Sequence, residues 1–175
     1  MRFILILTLF SQALFGQYFG QNKVQYNEFD WNFIVSPNFN VYYYGDNDDL
    51  AIFTSKIAEE SLDQIGKHLR WRSQQPIKII VYTSHNDFQQ TNIVNVYMSE
   101  GIGGVTELYK NRIVIPFEGS YAQFKHVIHH ELVHAIINDM VYGGNVQGVL
   151  SGRVLLQVPL WANEGLAEFL SVDWD

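Results

Sequence analysis

The chain has 175 residues, 47% of them hydrophobic and only 17% charged, with a formal net charge of −7 and no cysteine. That length allows one domain, and so apolar a composition excludes wholesale disorder. The acidic balance excludes a nucleic-acid binder, which needs clustered Lys and Arg, and the lack of Cys excludes disulfides, thiolate metal sites and Cys nucleophiles.

Met1-Arg2 followed by the apolar run Phe3–Phe10 and the small or polar residues to Gly16 reads as a signal peptide over 1–16, cleaved near Gly16/Gln17. The expected location is therefore secreted or periplasmic. The run falls short of the roughly 20 residues of a membrane span, so no span is expected after cleavage. Residues 17–37 read as an extended lead-in and 38–175 as the domain proper. Ile34–Tyr44, rich in β-branched and aromatic residues, predicts one strand ending at the turn Gly45-Asp46-Asn47-Asp48. Apolar residues at Leu50, Phe53, Ile57, Ala58, Leu62 and Ile65 then recur at helical spacing, with acids at the start and Lys67, His68 and Arg70 near the end. Pro76–Tyr82 predicts a second strand and Asp87–Gln90 a short helical turn. Gly101-Ile102-Gly103-Gly104 is a bend without the strand-then-helix context of a phosphate loop. Val105–Tyr109 and Arg112–Phe117 predict a hairpin around Lys110-Asn111, and Pro116 points to a sheet edge for its second arm. Ser120–Met140 is a long helix closed by Gly143-Gly144. After a loose connection over 145–158, Pro159 opens a last helix through Leu170. The order of elements is that of an α+β fold.

Within the long helix lies His130-Glu131-Leu132-Val133-His134. Two His four residues apart differ by about 40° around a helix, so both rings can face one ion. Glu131, rotated by about 100°, can sit beside an open coordination position and take a proton from water there. Zinc suits neutral imidazoles combined with a carboxylate. A third ligand is needed, and the downstream candidates are Asp139, Glu164, Glu168 and Asp173. Asp139 lies about 140° from His134 and is a poor choice. Glu164 and Glu168, four apart on the last helix, can share the work, one ligating and the other accepting an imidazole N–H. Spacing alone leaves their order open. His126 shares a face with His130 but no Glu follows it, so it reads as a packing or supporting residue; His129 reads as turned away.

His130-Glu131-x-x-His134 followed by Trp161-x-Asn163-Glu164-Gly165-x-Ala167-Glu168 resembles the gluzincin zinc metallopeptidases. The resemblance implies Glu164 as third ligand and Glu168 as the acid that supports a His ligand. It also implies a zincin-like fold: a small twisted mixed sheet, an active-site helix with the two His, and a second helix with the ligating Glu. Residues 38–172 are further similar, in the order of their elements, to the short peptidase-like domains that precede TolB-type propellers in secreted bacterial proteins. Two departures stand out. Twenty-nine residues separate His134 from Glu164, and only 11 follow Glu164, too few for the oxyanion-stabilising Tyr or His and the C-terminal helical subdomain of that family. A fragment of a longer protein, with a C-terminal propeller as a possible neighbour, is the resulting expectation.

The expected function is peptide-bond hydrolysis with one Zn2+ held by His130, His134 and Glu164 and with Glu131 as general base. A peptide or protein substrate would pair with the Arg112–Pro116 edge. The alternatives are a non-catalytic zincin-fold adaptor attached to the propeller and a metal-dependent hydrolase of some other substrate.

Overall fold

A computed structural model of the chain describes residues 23–73, 75–94, 98–99, 101–107, 110–142 and 158–172. The expected signal peptide over 1–16, Gly143-Gly144, residues 145–157 and Asp173 lie outside the described residues. Five strands and four helices are described: β1 (Trp31–Val35), β2 (Phe39–Tyr44), α1 (Asp48–Leu69), β3 (Ile77–Tyr82), α2 (His85–Phe88), β4 (Val105–Glu107), β5 (Arg112–Pro116), α3 (Tyr121–Tyr142) and α4 (Leu160–Val172). They form a mixed α+β fold with one mixed sheet in the order β1-β2-β3-β5-β4. The three central strands are parallel, and an antiparallel strand flanks them on each side.

Side-chain alternation sorts the sheet into two faces. Phe39, Val41, Ile77, Ile79, Val81, Ile113 and Ile115 turn to one face, all almost fully buried. There they join Leu50, Ile57 and Ile65 of α1 and Phe124, Ile128, Leu132 and Ile136 of α3 in one core. Tyr82 and Val114 turn the other way and pack with Phe88 and Met98. The acids Asp48 and Asp49 in the first turn of α1 and Lys67 and His68 in its last complement the helix dipole, and Arg70 ends the helix at φ 53°.

Two expectations need correcting. The single strand over Ile34–Tyr44 is two strands, because Ser36-Pro37-Asn38 reverses the chain. Ser36 N donates to Phe39 O at 2.9 Å, and the Glu59 carboxylate of α1 accepts from Ser36 Oγ (2.6 Å), Asn38 N (2.9 Å) and Asn38 Nδ2 (2.7 Å). A carboxylate more than twenty residues away thus holds the turn. The other correction concerns the sheet edge. β5 is interior, between β3 and β4, and the edge strand on that side is Val105–Glu107. Pro116 is tolerated because β4 pairs only as far as Val105↔Val114. Phe117 N donates to Tyr82 O at 2.7 Å, so by alternation the Pro116 nitrogen faces the side where β4 has ended.

Candidate metal centre

Helix α3 starts where Ser120 Oγ accepts from Gln123 N at 3.3 Å, a helix cap. From Ile128 to Ile137 nearly every residue is buried, as expected of a helix enclosed on all sides. His130 and His134 are therefore carried by a helix segment packed into the core. Helix α4 packs across α3 through Ala167, Leu170 and the half-buried Leu166. Its Glu164 side chain remains 51% exposed and reaches both imidazoles.

Three atoms converge. His130 Nε2 lies 3.1 Å from His134 Nε2, and Glu164 Oε2 lies 3.4 Å from each. A tetrahedral ion with bonds of 2.0–2.1 Å separates its ligand atoms by about 3.3 Å, so the triangle has the size of a zinc-type site. These three residues form one of two groups of His and acidic side chains able to hold a metal ion among the described residues. The donor set, two imidazoles and one carboxylate, is chemically suited to zinc. Burial, and then the neighbouring His134, lower the His130 pKa, against the raising influence of Glu164 and Glu168. Burial and His134 both favour the neutral ring, the form that ligates.

Glu131 lies beside the triangle, buried to 7% exposure. Thr106 of β4 donates its hydroxyl to Glu131 Oε2 at 2.7 Å, and the same Oγ1 is 3.0 Å from the Glu131 carbonyl oxygen. Burial raises the Glu131 pKa, with Glu164 acting in the same sense; the Thr106 hydrogen bond and His134 oppose the rise. A carboxylate pushed toward neutrality in this way is a better proton acceptor, while a cation seated beside it would act in the opposite direction.

Glu168 Oε2 lies 3.6 Å from His130 Nδ1 and 3.7 Å from His126 Nε2. Both glutamates of α4 thus face His130, each toward a different ring nitrogen. His134 Nδ1 and Asn163 Oδ1 are buried without a hydrogen-bond partner in the structure. One becomes an N–H donor once Nε2 ligates, and the other is an acceptor on the facing helix. Asp139 points elsewhere and accepts from Trp71 Nε1 at 2.8 Å. His129 is buried, belongs to neither group, and has its pKa lowered to about 4, first by burial and then by neighbouring cationic groups led by His126.

A cleft of about 750 Å³ opens over these residues, walled by Met98, Ile102, Val105 and Val127. Sequence reasoning missed two of its residues. Thr106 left no signal, because its contact with Glu131 spans 25 residues. Gly104 was visible only as part of a glycine-rich bend. A Cβ at Gly104 would lie 2.8 Å from Glu131 Cγ, 2.9 Å from Ile115 Cγ2 and 3.0 Å from Glu131 Oε1. Only glycine lets the backbone preceding β4 pass so close to that carboxylate. Gly104→Ala is expected to cost about 1–3 kcal/mol of stability through overpacking and to displace Glu131. Denaturant unfolding would measure the first effect. Unchanged stability would show that the backbone there gives way easily.

No family model, curated protein or solved structure matches the chain. The chemical reading therefore rests on the residues themselves.

Proposed function

We propose that the chain is a zincin-like, secreted or periplasmic zinc metallopeptidase of the gluzincin type, hydrolysing peptide bonds. The observation that carries this reading is the triangle of His130 Nε2, His134 Nε2 and Glu164 Oε2 with Glu131 beside it. One bound zinc would supply Lewis acidity, polarising a carbonyl and making water acidic. Glu131 would then accept a proton from the attacking water and return it to the departing amine. Thr106 holds the carboxyl of Glu131 in place. Being both donor and acceptor, its hydroxyl can serve either form of that group. β4 lies at a sheet edge and its Val105 and Thr106 line the cleft, so an extended peptide could add to the sheet there rather than at Arg112–Pro116. The first sixteen residues support export. A non-catalytic adaptor would have no use for a buried Glu131 held by a hydroxyl, which favours the enzyme over the binding module.

Zinc content is the direct test. Purified protein is expected to hold one tightly bound equivalent, lost in both His130→Ala and His134→Ala. An unchanged tight equivalent in these variants would reject the site.

A further inference from the structure

The second group able to hold a metal is His126, His130 and Glu168. It shares His130 with the first but uses Nδ1 in place of Nε2. We infer that His126 and Glu168 form a second, weaker divalent-cation site on the rim of the cleft, one helical turn along α3 from the first. His126 is 43% and Glu168 59% exposed, and both line the cleft, so water can reach the ion and complete its shell.

The sharing of His130 sets the order of affinities. With an ion on Nε2, Nδ1 carries the ring proton and cannot ligate. The second ion then has two protein donors, His126 Nε2 and a Glu168 oxygen, against three at the first site. Loss of a mere supporting partner already costs a metal site roughly 10–100-fold, and loss of a donor is expected to cost more, so the rim site should be at least about 100-fold weaker. Filling it draws Glu168 away from His130 Nδ1 and so loosens the first ion.

This inference borrows from the preceding reading only the identity of the tight site, and the test separates the two. Zinc alone is titrated into the full chain against competing chelators of graded affinity. A tight equivalent and a second one at least about 100-fold weaker are expected. His126→Ala should remove the weak equivalent and keep the tight one, and replacing His134 as well, in His126→Ala/His134→Ala, should remove the tight one too. His126 is partly solvent-exposed, so its loss should leave the fold intact, which circular dichroism would verify. A single equivalent in the parent, or a weak one that survives in His126→Ala, overturns the rim site. A tight equivalent that survives in His126→Ala/His134→Ala overturns the first assignment and leaves the second standing on the single variant's result.

Discussion

Glu131→Gln is expected to lower peptide hydrolysis by about 10²–10⁴-fold while zinc content stays at one equivalent, the range typical for loss of a positioned proton acceptor. The substitution preserves shape, and the amide oxygen can still accept from Thr106, so the local packing has no reason to change. What disappears is the ability to take a proton. Turnover of a quenched-fluorescent peptide library and metal analysis of the same preparation measure the two quantities. A variant that loses its zinc would make Glu131 a ligand, and one with near-normal turnover would place the base elsewhere. A parent protein that holds zinc and yet cleaves nothing would favour the adaptor.

The second large effect separates the two glutamates of α4. Glu164→Ala removes a donor atom and a negative charge from the triangle, and tight zinc binding should be abolished. Glu168→Ala removes only the carboxylate facing His130 Nδ1, so affinity should fall by roughly 10–100-fold with the tight site still fillable at high metal. Competition titrations resolve both. The opposite pattern, an empty Glu168→Ala and a loaded Glu164→Ala, would exchange their roles.

Local pattern carried much of this molecule. The spacing of His130, Glu131 and His134 depends only on helical geometry, and the Glu164/Glu168 pair likewise, so both motifs could be read before the helices were seen to face each other. What resisted reading was non-local. The reversal at Pro37 depends on Glu59, at the middle of a helix whose own pattern gives no hint of that duty. Pro116 breaks a ladder and so points to an edge, but a proline at the last position of an interior strand costs nothing if its neighbour has already stopped. Thr106 and Gly104 acquire meaning only from Glu131, which lies over 20 residues further along the chain.

The two helices of the site differ in how firmly they are held. α3 runs through the core, whereas α4 presents Leu160, Trp161 and Phe169 to solvent at 73%, 79% and 63% exposure and, among the described residues, joins the core through Ala167, Leu170 and Leu166. An ion bridging His130 and His134 to Glu164 would therefore act as a rivet between a fixed and a loosely seated element. Part of its binding free energy would go into seating α4, so metal affinity would report on the docking of that helix as well as on the ligands. A residue far from the ion, such as Leu170 in the α3–α4 contact, would then influence how tightly the metal is kept.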